Sequence, residues 1–384
     1  MATRQTPRSR SGDILVATRK GAFVLHGGPS RRTWSVEGPH FLGHETNHLT
    51  ADPRDPGRWL LAAKTGHLGP TVFRSSDAGR SWQEASQPPA FPKAAEGEKG
   101  PAVERVFCLT PGHASQPGVW WAGTVPHALF RSDDGGARWE LVKGFSDYLA
   151  SLSAQTPNRF FPTPGGPITH SVLVDPRDPA HLYVSLSTGG CFESADSGLH
   201  WRPLNHGVSA DFLPDPHPEF GQDPHCVVLS PANPDRLYQQ NHCGVYRLDR
   251  PGEGWERIGA NLPAEVGDIG FPIAAHPRDP ERVWVFPMDA STVWPRTSPG
   301  GRPAAFHSRD GGRSWVRQSN GFPEGQGWLT VLRQAMKCDA AEPVGLYVGT
   351  TSGEIWASRD EGESWRPVAS HLPPVLALEV IARA

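Results

Sequence analysis

A short string, S-x-D-x-G-x-x-W, returns five times along this chain: SSDAGRSW at 75–82, SDDGGARW at 132–139, SADSGLHW at 194–201, SRDGGRSW at 308–315 and SRDEGESW at 358–365. A repeated unit of this kind must be recognised before the length of 384 residues is read as a number of domains. Two further tryptophans, Trp34 and Trp255, stand in degraded copies, GGPSRRTW and LDRPGEGW, where the period requires them. The series then runs Trp34, Trp82, Trp139, Trp201, Trp255, Trp315 and Trp365, at intervals of 48 to 62 residues. Seven copies at that spacing are seven four-stranded blades. Within the string, a short acceptor side chain bonds backbone N–H groups of a tight turn, and glycine permits a positive-φ corner. Five aspartates spread around a ring cannot converge on one substrate, so they belong to the scaffold.

A second element recurs half a repeat away. DPRDP occupies 52–56 and 175–179, with HPRDP at 276–280 and SPANP at 230–234. Apolar runs flank it, such as HSVLV (170–174) before and LYVSL (182–186) after. Proline presets turn dihedrals and cannot sit in a central strand, so this motif joins two strands. Each blade reads as strand A, the proline turn, strand B, a loop, strand C, the S-x-D-x-G box and strand D. The N-terminal segment supplies only three strands before the first full repeat. The missing one is available in VLALEVIA (375–382), and its pairing with the first blade closes the ring and removes both sheet edges. The expectation is an all-β, seven-bladed β-propeller over residues 12–384 as a single domain, preceded by a disordered tail over 1–11. The 42 glycines and 40 prolines suit many short strands joined by turns.

These motifs resemble the sialidase/BNR-repeat (Asp-box) superfamily of WD40/YVTN/BNR-like propellers, which includes sialidases, xyloglucanases, sortilin-type receptors and photosystem II assembly propellers. The resemblance covers nearly the whole chain and implies the fold; its members carry many unrelated functions on one scaffold. True sialidases carry an Arg-Ile-Pro type motif near the start and an arginine triad. No such motif precedes the first box here, and nothing in the sequence brings Arg19, Arg105 and Arg159 together. Xyloglucanases of the superfamily form a cleft from two propellers, and this sequence supplies one.

With 37 basic and 40 acidic residues, the charge balance gives no argument for nucleic acid or an anionic membrane. No apolar run approaches the length of a spanning helix. The basic N-terminus lacks the hydrophobic stretch of a secretory signal, and five cysteines without C-x-x-C spacing read as reduced thiols. The expected location is the cytoplasm.

Strand alternation sorts the connections. A–B turns and S-x-D-x-G boxes share one face; D-to-A and B-to-C connections share the other. The second face carries the long segments 84–104, 141–169 and 203–224, where binding and catalysis are expected. Histidines and acids gather on it. Counting back from the proline turns places Asn47, Arg105, His170, His225 and Phe271 at successive inner-strand starts, with His48 one position on. Counting outward from Leu229 and Leu237 brings His225 and His242 within one position of facing each other, with Cβ atoms about 5 Å apart. With His170 they make a three-histidine set at the channel mouth, suited to a divalent transition metal such as zinc, copper or iron. Strand alternation turns Cys226 and Cys243 the other way, into the core. Arg105, His48, His67, Asp223 and Trp328 are the candidate ligand-binding residues of this face. Trp328 and Phe271 are read as opening inner strands, and Tyr148, Phe160 and Phe161 as aromatics of the longest loop. Three functions follow: a propeller that binds a small molecule or glycan and hydrolyses it, a histidine-coordinated metalloenzyme, or a scaffold with a protein partner.

Overall fold

The computed structural model describes residues 12–67, 69–97, 99–156, 167–289 and 296–382. The tail over 1–11, with Arg159, Phe160 and Phe161, lies outside the described residues. Seven four-stranded antiparallel sheets form a propeller. Blade 1 is closed by its C-terminal strand: Val375–Ala382 pairs with Gly12–Thr18, which continues to Gly21–Gly27 and Trp34–His40. The strand Gly12–Thr18 is buried at every position, because both of its edges are paired and both faces are covered. Strands at the rim are short or exposed, as in Gln83–Glu84 and Trp34–His40. No described helix is long and apolar enough to cross a membrane.

The S-x-D-x-G boxes behave alike in all five copies. The serine hydroxyl accepts the glycine N–H, as in Gly79 to Ser75 Oγ at 2.9 Å and Gly312 to Ser308 Oγ at 2.7 Å. The aspartate Oδ1 accepts an N–H four residues on, at 2.9 Å from Ser81, Arg138, His200, Ser314 and Ser364. Hydrogen bonds from Ser81 and Ser75 hold the Asp77 carboxyl down to about 2. At Gly312, with φ at +93°, a Cβ would meet Ile258 side-chain atoms at 2.5 Å. A box also docks on the A–B turn of its own blade, as Ser197 N–H to Ala180 O and Gly311 N–H to Glu281 O. The two turn families therefore share one face.

The proline turns do more than connect strands. The Arg54 guanidinium forks onto Asp52 and reaches the carbonyls of Gly112, His113 and Gln116 in the next blade. Arg177 likewise holds Asp175 and reaches Asp235 at 2.6 Å. Arg278 reaches the Ala340 and Ala341 carbonyls. At the seam between the last blade and the first, Arg31 donates to Asp339 at 3.0 Å and to the Pro343 carbonyl.

Two features differ from the pattern read in the sequence. The segment after the third blade holds a helix, Lys143–Gln155, rather than a wholly irregular loop. Its buried Phe145, Leu149 and Leu152 fall on one helical face, and Phe145 packs 4.7 Å from the Trp201 ring, so Tyr148 is a helix residue. The inner strands of blades 2 to 6 also carry a register shift near their starts, at Thr46/His48, Val106/Cys108, Thr169/Ser171, Pro224/Cys226 and Gly270/Ile273. Such a bulge sets two residues against one and re-aims a side chain.

Two outcomes test this account. Ser308→Ala leaves the buried Gly312 N–H without its acceptor and should destabilise the fold by about 1–3 kcal/mol in urea titration. Ending the chain at Pro374 exposes one edge of Gly12–Thr18, the one that Val375–Ala382 covers; the product should lose cooperative calorimetric unfolding and aggregate, whereas an unchanged monomeric transition would contradict closure by this strand.

Candidate functional site

Seven inner strands enclose a channel with a cavity of about 560 Å³. Its middle is crossed by a charged chain from three blades. Lys337 Nζ lies 2.7 Å from Glu379 Oε1, which accepts from His48 Nε2 at 3.2 Å, while His48 Nδ1 accepts the Leu109 N–H. Burial opposes the charge on Glu379, yet Lys337 and His48 hold its carboxyl down to about 2. His48 thus has both ring nitrogens engaged in the channel wall. Cys226 lines the channel beside His225 and also packs on the apolar cluster of its blade, in line with the core position that strand alternation implied. Cys243 is buried.

The mouth of the channel lies on the long-connection face. His225 occupies the bulge, and its Nδ1 donates to the Gly270 carbonyl at 2.7 Å. Its Nε2 lies 3.4 Å from Asp223 Oδ2. His242, in the turn after Arg236–Asn241, places Nδ1 3.8 Å from the same oxygen, and its N–H bonds the Asp223 carbonyl. The other carboxylate oxygen of Asp223 accepts the Thr188 N–H at 3.1 Å. The imidazoles of His225 and His242 stand 5.7 Å apart, edge to face. The sequence placed them as near cross-strand partners; they meet instead because one sits in a bulge and the other in a turn. Burial pushes the His225 imidazole down, and Asp223 pulls against it. Burial pushes Asp223 up, but the neighbouring His225, Arg333 and His242 hold it far below the usual carboxylate range.

The structure brings together a donor set that differs from the three histidines expected. Asp223, His225 and His242 each offer a ligand atom within 4.8 Å of the others; His170 is not one of the three. His170 is buried one blade away, with Nδ1 against Ser171 Oγ at 2.9 Å. Burial, then the Arg333 charge, drives its imidazole well below the ordinary value. His170 sits in the Thr169/Ser171 bulge, and the serine holds its ring.

Arg333, from the connection before Met336–Cys338, was not singled out in the sequence. Its guanidinium lies 4.7 Å over the Phe271 ring, which in turn packs 4.8 Å from His225. Burial lowers it to about 10, Nε has no hydrogen-bond partner among the described residues, and Nη2 reaches Ser187 Oγ only at 3.4 Å. No motif read from the sequence marks this arginine.

The remaining candidates scatter. Arg105 begins its strand 3.9 Å from Glu45, and Phe107 rather than Arg105 fills the bulge, because the turn of that blade begins later than the count assumed. His67 is exposed in the turn between Asp55–Thr65 and Gly69–Ser75. Trp328 does not open an inner strand: it lies eight residues ahead of Met336, 53% exposed, with Nε1 on Gln326 Oε1 at 3.0 Å.

No family model matches the chain. Among curated proteins it is similar to an oligoxyloglucan-reducing end-specific xyloglucanase of Emericella nidulans, 26% identical over 312 residues that make up 73% of this chain and 35% of that protein. A xyloglucanase from a Paenibacillus species is 23% identical over 347 residues, 81% of this chain and 31% of that protein. The chain thus spans about a third of the length of these relatives. Among solved structures, the GH74 xyloglucanase from Xanthomonas campestris aligns with a TM-score of 0.63 at 18% identity, over 95% of this chain and 53% of that one. At that identity the likeness is one of fold.

Proposed function

We propose that the protein binds a glycan across the mouth of its channel, on the long-connection face. The observation that carries this reading is the placement of exposed aromatic rings. Among the described residues, Phe212 and Trp328 are the large aromatics most open to solvent, at 43% and 53%, and both lie on this face. Phe212 packs against His242 with ring centroids 5.7 Å apart, and Trp328 lies in the connection that leads to Arg333 on the same face. Exposed indole and phenyl rings offer flat apolar platforms to the C–H faces of pyranoses, while a few convergent polar groups select orientation. Asp223 and Arg333 are such groups, one an ionised acceptor and the other a donor with bonding capacity to spare. The similarity to xyloglucanases supports a β-glucan-based ligand.

Hydrolysis of that ligand by two carboxyls needs one acid kept protonated beside the scissile bond. The carboxylates of Asp223, at the mouth, and Glu379, in the channel wall, are both held on the ionised side. The reading is therefore one of glycan capture, without cleavage by those two groups.

Calorimetric titration of the full chain with xyloglucan and cello-oligosaccharides should give saturable binding. Trp328→Ala and Phe212→Ala should each weaken it about tenfold, or about 1.4 kcal/mol, without changing the melting temperature. Absence of binding across the panel, or binding indifferent to both substitutions, would refute the reading.

A further inference from the structure

We infer that Asp223, His225 and His242 form a binding site for a divalent first-row metal ion of the zinc or iron(II) kind. The inference does not depend on the glycan reading.

The argument begins with a hydrogen bond. A backbone carbonyl can only accept, so the 2.7 Å contact from His225 Nδ1 to Gly270 O fixes the proton on Nδ1. In the neutral ring, Nε2 then carries a bare lone pair. That lone pair stands 3.4 Å from Asp223 Oδ2, a carboxylate oxygen. Two acceptors facing each other in a buried site call for a proton or a metal ion between them. A charged imidazole–carboxylate hydrogen bond closes to about 2.7–2.9 Å, shorter than the 3.4 Å found here.

The spacing suits a metal ion instead. Ligands about 2.1 Å from a tetrahedral ion stand about 3.4 Å from one another. The two distances converging on Asp223 Oδ2 are 3.4 Å from His225 and 3.8 Å from His242, and all three donor atoms fall within 4.8 Å. The surroundings do what the partners of metal ligands usually do. The carbonyl of Gly270 orients His225, and the Thr188 N–H occupies the carboxylate oxygen turned away from the histidines. His242 is 40% exposed in its side chain, which leaves a path by which an ion enters.

Two histidines and one carboxylate leave positions open on either ion. The nearby Arg333 charge opposes a bare cation and favours an ion that also takes an anionic oxygen ligand, such as a carboxylate or phosphate. The site differs from the three-histidine set read from the sequence by exchanging His170 for Asp223.

The test uses the full chain without an affinity tag, stripped with chelator and titrated with cobalt(II) and then zinc(II). One equivalent of cobalt should bind and produce visible d–d absorption, which zinc should abolish. His242→Ala, at the partly exposed ligand, should raise the dissociation constant by about 100-fold or more, while His67→Ala and His170→Ala should leave it within about threefold. Circular dichroism melting of each variant separates lost binding from lost folding. No stoichiometric binding by the wild-type chain, or binding that survives His242→Ala in a folded variant, would overturn the inference. A loss on His170→Ala as large as on His242→Ala would overturn this donor set.

Discussion

Ring closure is the constraint on which the rest of the molecule depends. A four-stranded sheet has two faces to cover, and a propeller blade covers them only with the blades on either side. An open seam would expose a wholly buried strand, Gly12–Thr18, along one edge. The chain meets the requirement with Val375–Ala382 and secures the seam with Arg31 on Asp339. The same logic repeats around the ring, where Arg54, Arg177 and Arg278 each bind the turn of the following blade. The boxes and proline turns spend their polar groups on this rim, leaving the opposite face to ligands.

The channel shows how burial and charge are reconciled in such a ring. Three blades contribute one group each to the Lys337–Glu379–His48 chain, so no single sheet carries an uncompensated ion inward. The mouth is balanced less completely. Asp223 is matched by His225, whose burial opposes its protonation, and Arg333 keeps a donor unspent against an aromatic ring. Incomplete satisfaction of buried polar groups is common where a ligand supplies the missing partner.

Much of the fold was legible in the sequence because its signals are local. Ser, Asp, Gly and Trp at fixed offsets define a turn whatever surrounds it, and Pro-Arg-Asp-Pro breaks a strand for the same reason. The closing strand was legible because a count of three strands left one apolar segment unassigned. The helix Lys143–Gln155 was less visible: Phe145, Leu149 and Leu152 have helical spacing, but the segment was read only as a long connection. The site was legible in part. His225 and His242 are neighbours, and Asp223 stands with them. What the alternating pattern hid was the bulge, which breaks period-two reasoning at the strand ends where the site is built. Grouping His170 with the histidine pair rests on that pattern. Arg333 had no local signal at all, since its position depends on packing over Phe271.

The recurrent bulge has a bearing on how such a protein can change. A residue that skips the ladder contributes neither register nor a cross-strand partner, so its side chain can be exchanged at little cost to the sheet. In successive blades that slot holds Asn47, Phe107 and then the two histidines, already a mixture of polar, aromatic and imidazole chemistry. The propeller thus carries a circle of interchangeable sockets around its axis, each open to substitution while the neighbouring strands keep their alignment. New binding chemistry can arise there one blade at a time.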